Sequence, residues 1–118
     1  MESKRQLKFS KMIQKDLGDI FHHEIQDLIG KAFITVTLVR MSPDLGVAKV
    51  YLSMMMVEDK EKLIDHIIER KGYIRKLLSA RIGKKVRVIP ELMFFLDDSM
   101  EYSENIDRIL KNLNIPPE

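Results

Sequence analysis

Apolar residues recur at three- and four-residue spacing through the opening stretch of the chain: Leu7, Phe9, Met12, Ile13, Leu17, Ile20, Phe21, Ile25 and Leu28. That period predicts one long amphipathic helix ending near Gly30. The pattern then shifts towards alternation. In FITVTLVRM, β-branched residues dominate, with Ile34, Val36 and Leu38 expected on one face and Thr35 and Thr37 on the other. SPDLG at 42–46 supplies turn residues, and VAKVYLSM sets Ala48, Val50, Leu52 and Met54 against Lys49, Tyr51 and Ser53. The two runs predict a β-hairpin. Glu58, Asp59 and Glu61 then open a helix whose apolar stripe is Leu63, Ile64, Ile67 and Ile68. A second stripe, Ile74, Leu77, Leu78 and Ile82, follows Gly72 and ends at Gly83. VRVIPELMFFLD reads as a third strand, with Pro90 implying an edge or a bulge. Asp98 and Glu101 have capping-box-like spacing before a last helix carrying Ile106, Ile109, Leu110 and Leu113.

This order predicts a single α+β domain spanning 1–118. A hairpin makes the first two strands antiparallel, and a helical crossover makes the second and third parallel. The expected sheet is mixed and three-stranded, with helices on one face. The order is that of a type II KH domain, an RNA-binding architecture. A standard KH domain clamps nucleic-acid backbone with a GxxG loop between its central helices. Here no two of Gly18, Gly30, Gly46, Gly72 and Gly83 are three apart, so that loop is missing. Gly72 stands in its place. Glycine inside a helix costs about 1 kcal/mol relative to alanine and is a kink site. Gly72 is therefore expected to bend one helical half against the other, giving α-β-β-α-kink-α-β plus a C-terminal helix; a glycine that simply ends the first half is the alternative.

Charge changes the picture more than composition does. Net charge is only +2, but residues 1–15 carry a local +4 and residues 70–87 a local +8, leaving −10 for the rest. The segment from Arg70 to Arg87 has eight basic residues and no acid. Such asymmetry suggests a polyanionic partner, against the blander reading of a solvated surface. Cysteine is absent, which fits a reducing compartment. The charged start MESKRQLKFSK lacks the apolar region of a signal peptide, and no apolar run is long enough to span a membrane. A cytoplasmic protein is expected.

The segments ITVTLVRMSPDLGVAKVYLS, KGYIRKLL and VRVIPELMFFLDDS occur in that order. With Ile74-Arg75 and Pro90-Glu91-Leu92 among them, the chain resembles the ribosome-binding factor A family, from Arg5 to about Asn112. The resemblance implies a type II KH-like fold in which an interhelical A-x-G kink replaces GxxG. Gly72 matches the motif's glycine, while Arg70 stands where the family has alanine. It further implies a non-catalytic factor that binds the small ribosomal subunit and its rRNA. Such a factor assists late maturation and 16S rRNA processing in ribosome biogenesis, often with a role in the cold. Many members carry a basic C-terminal tail; this chain ends in IPPE.

Which residues would touch RNA must be read from the charges. Ile74, Leu77, Leu78 and Ile82 fall within an arc of roughly 140° on the second helical half, and Arg75, Ser79 and Lys76 are placed opposite. Arg75 and Lys76 are thus expected to face solvent, with Lys71 one turn before Arg75. Arg81 projects towards the apolar arc and should snorkel or pair with an acid. Lys84 and Lys85 lie in the connection to the last strand, and Arg87 follows. On the first helix Lys4, Lys8, Lys11 and Lys15 make one stripe, which a solvated face explains equally well. The candidate RNA-binding set is Lys71, Arg75, Lys76, Lys84, Lys85, Arg87, Lys4 and Lys8, with Gly72 as the interhelical kink. The chemistry would be phosphate neutralisation, with little sequence choice. Base stacking would need exposed aromatics. Phe9, Phe21, Phe33, Phe94 and Phe95 look like core or half-core, and Tyr73 is the exposed candidate, with rim packing as its alternative.

Other classes fit less well. Adjacent His22 and His23 point about 100° apart on a helix and cannot easily share an ion, so no metal or cofactor is expected. P-loop and dinucleotide fingerprints are absent, so neither an enzyme nor a small-molecule substrate is expected. Met54-Met55-Met56 could form an adaptable apolar surface for a protein partner, or place one Met in the core and two in a loop. No membrane partner is expected, and nothing demands a dimer, so a monomer is. A generic KH-like RNA-binding or protein-interaction module unrelated to ribosome assembly is the alternative.

Overall fold

The computed structural model describes residues 3–97; the expected helix after Asp98 lies outside them. The elements are α1 (Lys4–His23), α2 (Gln26–Ile29), β1 (Phe33–Met41), β2 (Val47–Met55), α3 (Lys60–Glu69), α4 (Lys71–Ile82) and β3 (Glu91–Leu96). The sheet order is β1-β2-β3, antiparallel between β1 and β2 and parallel between β2 and β3. The architecture is the expected α+β one with a mixed three-stranded sheet. One continuous core joins the α1 face Ile13, Leu17, Ile20 and Phe21 to Ile34, Val50 and Leu52 of the sheet and to Ile67, Ile74 and Leu78 of α3 and α4. Phe21 meets Phe94 edge to face, with ring centroids 6.2 Å apart.

Four boundaries depart from the sequence pattern, each for a local reason. α1 stops at His23 instead of running to Gly30, because Ile25 leaves helical geometry (φ −124°, ψ 31°). The short α2 still delivers Ile25 and Ile29 to the core. In β1 the register jumps between Val36 and Leu38, so that Thr37 and Leu38 together oppose Tyr51. This bulge turns Leu38 outward and Val39 and Met41 inward. The Gln14 amide stabilises it by donating to the Val36 and Thr37 carbonyls at 3.0 and 3.3 Å.

The bend between the helical halves falls on Arg70 (φ −103°, ψ 16°), which both ends α3 and begins α4. Gly72 lies inside the first turn of α4, so it is not the bend itself. Arg70 occupies the position where the resembling family has alanine, and its side chain is exposed, so a large cation meets no packing conflict there. Finally, β3 begins after Pro90, not before it. Its first amide, Glu91 N–H, is the one that bonds the Gly46 carbonyl at 2.9 Å, a bond that proline could not make.

Candidate nucleic-acid interface

The start of α1 is held by two polar residues. Ser3 caps the helix by accepting from the Gln6 N–H, and the Gln6 side chain accepts from Ser3 N–H in return. The same Gln6 amide donates to the Met41 carbonyl at the end of β1, 3.0 Å away. A buried glutamine thus clamps the first turn to the sheet and fixes where Arg5 and Lys8 point.

The second basic segment is fixed at both ends. Gly83 ends α4 by donating to the Ser79 carbonyl, and Lys85 N–H donates to Ile82 O at 2.8 Å. At the other end the Arg75 guanidinium donates to the carbonyls of Ile89 (2.6 Å) and Pro90 (3.0 Å). Arg75 is exposed, as expected, but its guanidinium is tied to two carbonyls instead of standing free. It stands about 90° from the centre of the α4 apolar stripe, at its flank, close enough to reach the lead-in to β3. It acts as a positioning residue for the chain that carries Lys85 and Arg87.

These two anchored segments meet. Arg5 and Lys8 from α1 and Lys85 and Arg87 from the α4–β3 connection wall a cleft of about 590 Å³. Its floor is apolar, made by Phe9, Met12 and Val86. Among the described residues none of the four cations makes an ion pair. Four uncompensated positive charges around an apolar floor form a site that can hold phosphates at its rim and bury a planar group between them.

The remaining basic residues do other things. Arg81 turns to α1, with its Nη2 2.7 Å from Glu24 and its Nη1 3.5 Å from Asp19 and 3.6 Å from Asp16. The hydrogen bond with Glu24 holds its pKa above the ordinary guanidinium value, against partial desolvation. Pairing with an acid is one of the two arrangements expected of Arg81, which stands outside the candidate RNA-binding set. Lys71 lies 3.9 Å from Glu91, in a shallow hollow shared with Gly72 and Arg75. Lys76 and Lys84 are exposed, and Lys4 is exposed on the first turn of α1; none of the three lines the cleft. Tyr73 is half exposed, beside the bend.

The structure thus brings together Lys8, Lys85 and Arg87 of the expected set and adds Arg5, Phe9 and Met12. The added residues had a signal: Arg5, Phe9 and Met12 stand at i, i+4 and i+7, one face of α1. Phe33, expected in the core or half-core, is 49% exposed and stacked on His22 at 5.2 Å. Among the described residues no three His, Asp or Glu side chains form a metal-ligand cluster, and no helix is long and apolar enough to cross a membrane.

Comparison with known proteins adds a family. The family model described as "Ribosome-binding factor A" matches residues 5–110. A curated protein of that name from Cytophaga hutchinsonii is 48% identical over 116 residues, covering 98% of this chain and 87% of that one. The crystal structure of ribosome-binding factor A from Thermus thermophilus superposes with a TM-score of 0.64 at 19% identity, covering 77% of this chain and 94% of that one. A second set of Thermus thermophilus coordinates, fitted into a cryo-EM map of a complex with the 30S subunit, superposes with a TM-score of 0.59 at 20% identity. It covers 75% of this chain and 91% of that one.

Proposed function

The chain belongs to the ribosome-binding factor A family, and from that premise we propose that it is a non-catalytic factor that binds the small ribosomal subunit through its rRNA and assists late maturation of that subunit. The observation that carries this reading is the convergence of Arg5, Lys8, Lys85 and Arg87, none of them paired with an acid among the described residues, on one apolar-floored cleft. Phosphate oxygens supply the missing counter-charge. A Thermus thermophilus member of the family has been fitted into a map of its complex with the 30S subunit, which supports the same partner here. The fold is type II KH-like without GxxG, so the cleft takes over the backbone-gripping role of that loop. Lys4, Lys76 and Lys84 extend the basic surface beyond the cleft. Lys71 and Arg75 contribute less, because Glu91 and the two carbonyls already engage them. The protein works in the cytoplasm as a monomer, takes no small-molecule substrate and has a role in the cold.

The test is co-sedimentation of the full chain with small subunits, mature and immature, at low and high salt, with large subunits as control. The double variant Lys8→Glu/Arg87→Glu should lose binding while keeping its circular dichroism spectrum. Lys71→Glu should retain it. A folded double variant that still sediments with small subunits as well as the parent does would overturn the cleft assignment. Absence of parental binding to either small-subunit form at low salt would overturn the function.

A further inference from the structure

At the opposite end of α1 lies a second groove with the opposite charge. Lys8 and His22 are separated by about 21 Å along the helix, so the two ends cannot serve one compact ligand. This groove, about 750 Å³, runs between the α2–β1 connection and α3. Its floor is apolar: Ile29, Ala32, Val57 and Leu63. It continues past Met56 into a smaller cleft of about 290 Å³ bordered by the stacked His22 and Phe33. Met56 is 78% exposed and sits in the left-handed region (φ 61°), a costly conformation for a non-glycine residue. Of the three consecutive methionines only Met54 is in the core; Met55 and Met56 are exposed, and Met56 lines this groove.

The rim carries Glu58, Asp59, Asp65 and Glu69 against Lys31 and Lys62. Asp59 caps α3 through the Lys62 N–H. Glu58, Asp65 and Glu69 have no ion pair among the described residues. The placement of Asp65 and Glu69 does nothing for the fold. Asp65 and Glu69 are like charges at i, i+4, which is mildly destabilising. Glu69 also closes the last turn of α3, where the helix dipole disfavours an acid. Uncompensated carboxylates beside an apolar trough repel phosphate and attract cations.

We propose that this groove is a docking site for an extended, lysine- and arginine-rich protein segment that carries large apolar side chains. The aliphatic or aromatic anchors seat on Ile29, Val57 and Leu63, and the cations meet Glu58, Asp65 and Glu69. Met56, unbranched and polarizable, adapts to the anchor's shape. RNA is disfavoured by the rim, and the site is independent of the cationic cleft.

The test uses the full chain, isotope-labelled for NMR. The probe is a short synthetic peptide of alternating lysine and arginine with two central leucines. Controls are the same peptide with alanine for leucine, and an oligoadenylate. Resonances of Val57, Leu63 and His66 should shift with the leucine peptide, and the alanine version should bind about tenfold more weakly. The variant Asp65→Lys/Glu69→Lys, checked for folding by circular dichroism, should lose about tenfold or more in peptide affinity while sedimenting normally with small subunits. Equal binding of the alanine peptide, or an unchanged affinity in the folded variant, would overturn the proposal. So would shifts of these residues by oligoadenylate, which would make the occupant RNA. Sedimentation equilibrium covers one more occupant: self-association abolished by the same variant would make it a second copy of the chain and refute the proposal.

Discussion

A Cβ added at Gly83 would lie 2.6 Å from the Ser79 carbonyl oxygen, whereas one added at Gly72 meets nothing within 4 Å. The two glycines therefore serve different ends, although both looked like punctuation in the sequence. Gly83 is needed sterically, because the turn out of α4 brings that carbonyl against it. Gly72 is helical, unobstructed and not at the bend. Gly83→Ala should destabilise the fold by about 1–3 kcal/mol, as overpacking does. Gly72→Ala should stabilise it by about 0.5–1 kcal/mol through helix propensity. Thermal or urea unfolding of the two variants side by side checks both signs. A destabilised Gly72→Ala would mean that the α3–α4 bend does use that glycine. The same contrast explains why sequence reading placed the bend two residues late. Glycine is a visible signal, whereas the geometry of Arg70 is set by the packing of Ile67 and Ile74 into one core on either side of it.

At the scale of elements, periodicity located every strand and, apart from the short α2 that it merged with α1, every helix within the described residues; the β1 error sits where one residue is added. The β1 bulge reverses the faces of Leu38 and Val39, with Gln14 satisfying the Val36 and Thr37 carbonyls it frees and the Thr37 hydroxyl donating to Asp97 Oδ2 at 2.5 Å. None of those partnerships is visible in a pattern of period two. The cleft was half legible for a related reason. Its cations were visible as charge runs, but only the fold shows that residues 5–12 and 85–87 are neighbours. The exposure of Arg75 was legible but its two carbonyl bonds were not, because a helical wheel gives azimuth and not reach. Its two carbonyl bonds make a specific prediction for the segment it holds. Arg75→Ala should loosen residues 84–90 and lower stability by about 1–3 kcal/mol, since hydrogen bonds from a charged donor are lost. Arg75→Lys should recover only part of this, because an ammonium cannot reproduce the planar fork. Amide hydrogen exchange reads the segment directly. Protection lost around Lys85 and Glu91, with α1 unchanged, is the expected result. Uniform loss across the chain would instead make Arg75 a general contributor to the fold.

For the whole molecule, the small net charge conceals two separated ends, and ionic strength can tell them apart. If the cationic cleft carries the rRNA contact, four phosphates are neutralised. The slope of log affinity against log salt should then be about −2.8 to −3.6, at 0.7–0.9 per phosphate. Lys85→Gln should reduce its magnitude by about 0.7–0.9, and so should Arg5→Gln. Lys71→Gln should change it much less, because Glu91 already opposes that charge. Glu69→Gln should leave the slope alone, since that carboxylate lines the other groove and touches no phosphate in the cleft. A salt titration of small-subunit binding with these variants gives each increment separately. A parental slope near −7, with equal losses for Lys71, Lys76 and Lys84, would spread the contact over the whole basic segment and remove the special status of the cleft. Equal increments confined to Arg5, Lys8, Lys85 and Arg87 would establish that the charge asymmetry is concentrated by the fold into one rRNA-facing site, leaving the far end of α1 free for a different partner.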